Sequence, residues 1–148
     1  MSGLPRLAQQ NKKEEIIRLL LQGADVNEQD SIGRTALWNA CRDNRTELTE
    51  ILLQNKKINV NLDNSGYSPF YSACYNDNYE CVLIMVKDPR VDVNLADNYG
   101  YSPLMRACYA GYTKIVQLLI SFGRNIDIQQ LNNIIFLFLF RHIECGRA

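Results

Sequence analysis

The sequence predicts an all-α solenoid built from stacked helix-turn-helix units joined by β-turn or hairpin loops. Two observations carry that prediction. GYSPFYSACY, from Gly66, returns almost unchanged as GYSPLMRACY, from Gly100, 34 residues later. Other residues repeat at 33 or 34: Gly33, Gly66 and Gly100; Ala40, Ala73 and Ala107; Asp30, Asp63 and Asp97. A further register agrees, in Val26-Asn27, Val60-Asn61, Val93-Asn94 and Ile126-Asp127. That period is too long for a helix and too short for a domain. It is the size of one supersecondary unit, which can bury its apolar side only by stacking on another.

Each unit reads the same way. DSIG, DNSG and DNYG end in a glycine suited to a tight turn at positive φ. Two residues on, Thr35, Ser68 and Ser102 supply a hydroxyl to cap a helix start, and Pro69 and Pro103 follow at the first helical position, where a missing N–H costs nothing. The inner face of this first helix is Leu37/Ala40/Cys41, Phe70/Ala73/Cys74 and Leu104/Ala107/Cys108, with small residues that let helices approach closely. A second amphipathic helix runs through LTEILL, CVLIMV and IVQLLI, before a loop to the Val-Asn step.

A turn and two helices at this period resemble the ankyrin repeat. TALWNA, SPFYSA and SPLMRA stand where that family has T-P-L-H-x-A, and G-A-D-V-N is intact at Gly23 to Asn27. The resemblance covers about residues 4–130. It divides residues 1–130 into an amino-terminal cap (1–29) and repeats at about 30–62, 63–96 and 97–130, leaving a degenerate apolar tail at 131–148. The cap has the helix pair without the preceding turn, and its lysines and glutamates suit a polar end. The signature histidine is replaced by Trp38, Tyr71 and Met105, so the tie it makes between turn and helix must come from elsewhere. The turn before Gly66 is one residue shorter than its neighbours, which predicts a local irregularity in the stack.

Composition narrows the function. Sixteen basic and sixteen acidic residues cancel, unlike the basic footprint of a nucleic-acid binder. The amino terminus lacks a signal-peptide apolar core, and five cysteines without a Cys-x-x-Cys pair fit a reducing compartment. The expected address is the cytoplasm, with the nucleus as the alternative. Ile134–Phe140 is a run of seven apolar residues, far short of the roughly 18 needed to span a bilayer.

Nothing points to catalysis, a cofactor or a metal. The sole histidine, His142, lies in the tail and reads as a solvent-facing residue. Cys41, Cys74 and Cys108 occupy equivalent positions, so they form a ladder spaced by whole repeats, whereas zinc ligands need about 2.3 Å to one centre. No phosphate-loop glycine pattern occurs. Cys145-Gly146-Arg147-Ala148 is a poor prenylation signal, and an ordinary tail cysteine is the better reading.

The expected function is therefore protein binding. In ankyrin-like proteins the partner usually meets the concave side, formed by turn tips and first helices. Carried onto this chain, that surface comprises Arg34, Trp38, Asn39 and Arg42, then Tyr67, Tyr71 and Tyr75, then Tyr99, Tyr101, Met105, Arg106 and Tyr109. Six of the eight tyrosines and the only tryptophan fall there. Tyrosine, tryptophan and arginine dominate binding hot spots. The competing reading is that Trp38, Tyr71 and Met105 fill the space of the signature histidine. In some ankyrin-repeat proteins the equivalent asparagine is β-hydroxylated, which makes Asn27, Asn61 and Asn94 a subsidiary expectation, against an asparagine that simply bonds loop backbone.

The tail does not continue the repeat, since Phe140 falls where the small alanine should be. It reads as a closing helix, as a docking or self-association surface through Ile134–Phe140, or as unrelated sequence. The leading function is an adaptor, scaffold or inhibitor without enzymatic activity. The alternatives are a self-associating structural protein and a regulatory fragment of a larger chain.

Overall fold

The computed structural model describes residues 3–123, with Asn132 alone beyond them. The expectations for the tail, including Ile134–Phe140, His142 and Cys145, lie outside the described residues, as does the register step at Ile126-Asp127.

Four helix pairs follow one another: α1 (Leu4–Gln9) with α2 (Lys13–Leu21), α3 (Ala36–Arg42) with α4 (Thr46–Leu53), α5 (Pro69–Tyr75) with α6 (Tyr79–Lys87), and α7 (Pro103–Ala110) with α8 (Thr113–Phe122). The first helices stack in the order α1, α3, α5, α7, and α4, α6 and α8 stack behind them. The fold is an all-α repeat solenoid.

The first helices begin as their caps dictate. Thr35, Ser68 and Ser102 accept the N–H of Trp38, Tyr71 and Met105 at 3.0, 3.0 and 3.2 Å. Pro69 and Pro103 open α5 and α7. The cap helix α1 lacks such a hydroxyl. Instead the Glu28 carboxylate, from the following loop, accepts the N–H of Gly3 and Leu4 at 3.1 and 3.2 Å.

Between the two helices of each pair lies a residue in the left-handed region: Asn11 (φ 56°), Asn44 (52°), Asp77 (57°) and Gly111 (79°). The next residue's N–H then reaches back to close the helix, Lys12 to Leu7 O, Arg45 to Ala40 O, Asn78 to Ala73 O and Tyr112 to Ala107 O, at 2.8–3.0 Å. This is a further register of the repeat, at steps of 33, 33 and 34.

The core runs the length of the stack. Leu37, Phe70 and Leu104 lie at equivalent places, with Ala40, Ala73 and Ala107 one turn on, all buried. Ile16, Leu48, Leu52, Val82, Met85 and Ile115 fill the layer between first and second helices. Each large side chain of this kind contributes about 1.5–3 kcal/mol by leaving water. The four described cysteines, Cys41, Cys74, Cys81 and Cys108, are all buried and unpaired. Burial raises the Cys41 and Cys74 thiols far above their ordinary value and pushes Cys108 up to about 11, so they act as small apolar groups.

Asparagine amides tie successive loops together. Asn27 Nδ2 donates to Lys57 O at 2.9 Å while its Oδ1 accepts Asn59 N–H at 2.7 Å; Asn61 repeats this with Arg90 O and Asp92 N–H, both at 2.8 Å. Both ends of each amide are thus engaged, and Asn94 donates its own backbone N–H to Asp92 Oδ1 at 3.0 Å.

The expected irregularity takes a definite form. In the first and last turns, Asp30 N–H bonds Arg34 O and Asp97 N–H bonds Tyr101 O, enclosing three residues. In the middle turn Asn64 and Tyr67 exchange both backbone bonds at 3.0 Å, enclosing only Ser65 and Gly66, at φ 52° and 85°. Two central residues at positive φ make the type I′ hairpin, the tight alternative when one residue is lost. Asn64 therefore takes the place held by Asp30 and Asp97, and Asp63 moves outside the pair.

Candidate interaction face

The first helices and the turns before them share one side of the stack, and their aromatic and arginine side chains form two clusters. In the first, Trp38 lies between two guanidinium groups, Arg34 at 5.9 Å and Arg42 at 5.3 Å from the ring centroid. Each arginine already has a carboxylate: Arg34 bonds Asp30 Oδ2 at 2.8 Å, and Arg42 bonds both oxygens of Asp43 at 2.7 and 2.9 Å. Trp38 Nε1 donates to Tyr67 O in the next turn at 2.9 Å. The half-buried tryptophan is thus a bridge between units.

The second cluster surrounds Tyr71. Its hydroxyl donates to Asp97 Oδ2 at 2.6 Å and accepts from Arg106 Nε at 2.8 Å, while Arg106 Nη2 reaches the same carboxylate oxygen at 3.1 Å. The Tyr71 ring packs edge-on to Tyr67 at 5.1 Å and stacks on Tyr75 at 6.3 Å. The Arg106 guanidinium sits 5.8 Å from the Tyr75 ring and 4.7 Å from the Tyr101 ring, spanning helix and turn.

Electrostatics make this cluster self-contained. Burial tends to raise the Asp97 carboxyl, but hydrogen bonds from Tyr71, the Tyr101 backbone, Arg106 and the Tyr99 backbone outweigh it and hold it below its ordinary value. Burial, followed by the bond to Asp97, drives the Tyr71 phenol well above its ordinary value, so it stays a neutral donor. The bond to Tyr71, with Asp97 behind it, holds Arg106 firmly protonated against partial burial.

Ten of the twelve contact residues expected from the sequence reach the surface. Tyr75, Tyr99, Tyr101 and Tyr109 are exposed at 50, 78, 38 and 62%, respectively. Arg34, Trp38, Arg42, Tyr67, Met105 and Arg106 are half-buried. The other two need correction: Tyr71 and Asn39 are buried and offer a partner no surface. Tyr71 is consumed by the junction with the next unit, and Asn39 Nδ2 donates to Pro5 O of the cap at 3.1 Å. In the sequence Asp97 stands out only as a turn residue, whereas its carboxylate organises the Tyr71 cluster. Its signal was the register shared with Asp30, whose Oδ1 accepts the Ile32 and Arg34 N–H as Asp97 Oδ1 accepts those of Tyr99 and Tyr101.

No group of three histidine, cysteine, aspartate or glutamate side chains gathers as ligands for one ion among the described residues. Among them, too, no helix is long and apolar enough to cross a membrane.

The repeat geometry is matched by family comparison. A profile of three consecutive ankyrin repeats fits residues 6–97, and a single ankyrin repeat fits residues 99–133. The chain belongs to the ankyrin-repeat family. Ankyrin repeats are generally protein–protein interaction modules, and the family is typically non-catalytic. No curated protein matches the chain. Within the ankyrin framework Trp38 and Tyr71 stand at the signature-histidine position, and each carries a donor across to the next repeat's turn. Met105, at the same position in the last described repeat, packs against the core without such a donor.

Proposed function

We propose that this chain is a non-enzymatic binding module, an adaptor, scaffold or inhibitor, that holds another protein on the concave face of its turns and first helices. The observation that carries the reading is the concentration of exposed Tyr75, Tyr99, Tyr101 and Tyr109 on that side, beside half-buried Trp38, Arg34, Arg42 and Arg106. Tyrosine gives large amphipathic contact at low entropic cost. The rings beneath are already fixed by inter-repeat bonds, so docking orders few side chains.

Affinity capture from cell extract tests the reading. Wild type is compared with a Tyr75→Ser/Tyr99→Ser/Tyr109→Ser variant, which leaves Trp38 and Tyr71 to hold the fold, and circular dichroism checks that the helices persist. A protein retained by the wild type and lost by the folded variant supports the face. Equal capture by both contradicts it.

A further inference from the structure

The tyrosines are arranged in a way that selects a kind of partner. Tyr75 and Tyr109 fall at the same point of successive first helices, α5 and α7, and both are exposed. Tyr99 and Tyr101 come from the turn that leads into α7, and Arg106 connects the two sets by lying against both Tyr75 and Tyr101. The surface therefore has an aromatic helix side, an aromatic turn side and a guanidinium between them.

The charge of that guanidinium is already met by a carboxylate. Its Nε is bonded to Tyr71 and its Nη2 to Asp97, and its faces meet two rings. Arg34 and Arg42 are likewise matched to Asp30 and Asp43. An acidic segment would have to compete with three intramolecular carboxylates, and a basic one would have to displace three arginines. Beside these matched pairs Tyr75, Tyr99 and Tyr101 turn ring surface outward.

We propose that, given the binding role above, the surface takes an uncharged proline-rich segment in the polyproline II conformation. Such a segment supplies flat pyrrolidine rings to lie on tyrosine faces. It also supplies backbone carbonyls, unsatisfied by any internal hydrogen bond, to accept from phenolic hydroxyls. It is preordered, so little conformational freedom is lost on docking. Nothing in it needs a counter-charge.

The test titrates the folded chain with three capped peptides of equal length, oligoproline, oligoglutamate and oligolysine, followed by tyrosine-resolved NMR at low and high salt. Oligoproline is expected to shift the Tyr75, Tyr99, Tyr101 and Tyr109 signals with an affinity that changes less than twofold with salt. Tyr75→Ser/Tyr109→Ser should weaken it at least tenfold, and Leu21→Ser, on the exposed end of α2, should leave it unchanged. Binding of a charged peptide at these tyrosines, lost at high salt, overturns the proposal. So does the absence of any oligoproline shift. If the peptide is inert while the tyrosine variant still loses a captured protein, the partner chemistry is wrong and the face stands. If neither responds, the face itself is wrong.

Discussion

Tyr71 donates its hydroxyl to Asp97 Oδ2 across 2.6 Å, from the first helix of one repeat to the turn of the next. The two residues are 26 apart in sequence and both are buried. The bond does the work expected of the family's missing histidine, with a phenol in place of an imidazole, and it adds Arg106 from the following helix.

Tyr71→Phe keeps the ring contacts with Tyr67 and Tyr75 and removes only the hydroxyl. Hydrogen bonds to charged groups are worth about 1.5–3 kcal/mol, so a loss in that range is expected. Urea unfolding should show a lower midpoint at unchanged slope. An unaltered midpoint would mean that Arg106 alone satisfies Asp97.

The same cluster sets a pH dependence. Asp97 and Asp30 are held below the ordinary carboxylate value of 3.8, Asp97 despite burial by its four donors and Asp30 despite burial by its bonds to Arg34 and Ile32. A depressed folded value contributes stability that is present above 3.8 and lost as the pH falls through the folded values beneath it. Tyr71 acts at the other end: its folded value is raised from 10.0, so its contribution is complete below pH 10 and declines as the pH rises beyond. Tyr71→Phe should flatten the alkaline arm, and Asp97→Asn the acid arm, in thermal unfolding followed across pH.

Gly66 and Gly100 share a left-handed backbone, at φ +85° and +83°, but differ in their surroundings. A Cβ on Gly66 would lie 2.4 Å from Asn98 Oδ1 and 2.9 Å from Asn98 N, while one on Gly100 meets nothing within 4 Å. Gly100→Ala should cost about 1 kcal/mol from backbone strain alone. Gly66→Ala should cost about 2 kcal/mol or more, because Asn98 is itself tied to Ser65 O at 2.9 Å. Equal midpoints for the two variants would show that the turns do not pack against each other.

Asp77 sits at φ 57° on the exposed link between α5 and α6, where the last described repeat has Gly111. Asp77→Gly removes the left-handed strain at the cost of a floppier unfolded chain. A net stabilisation of about 0.5 kcal/mol is expected, seen as a raised midpoint in urea.

The turns, caps and core ladder were legible because each is a local requirement repeated three times. Thr35, Ser68 and Ser102 cap their helices as their spacing implies, and the missing residue before Gly66 did produce a different turn. The left-handed register of Asn11, Asn44, Asp77 and Gly111 was equally visible at steps of 33, 33 and 34, but its residue types differ enough to escape notice. Burial of Tyr71 was one of two readings its motif position allowed, whereas that of Asn39 was not legible. Register places a side chain on the first helix, but its exposure depends on what the adjoining unit sets against it. For Tyr71 that is Asp97 and Arg106, and for Asn39 it is Pro5 O. Variation in the motif thus marked both contact candidates and junction residues, and only the packing separates them.

The central claim is that binding resides on the tyrosine face. The most direct measurement is the affinity of a purified captured partner for three forms of the chain, by calorimetry: wild type, Tyr75→Ser/Tyr99→Ser/Tyr109→Ser, and Ile17→Ser/Leu21→Ser/Ile120→Ser on the second helices. Binding on the tyrosine face predicts at least a tenfold loss from the tyrosine variant and less than twofold from the other. The reverse order would put the binding surface on the second helices and contradict the account.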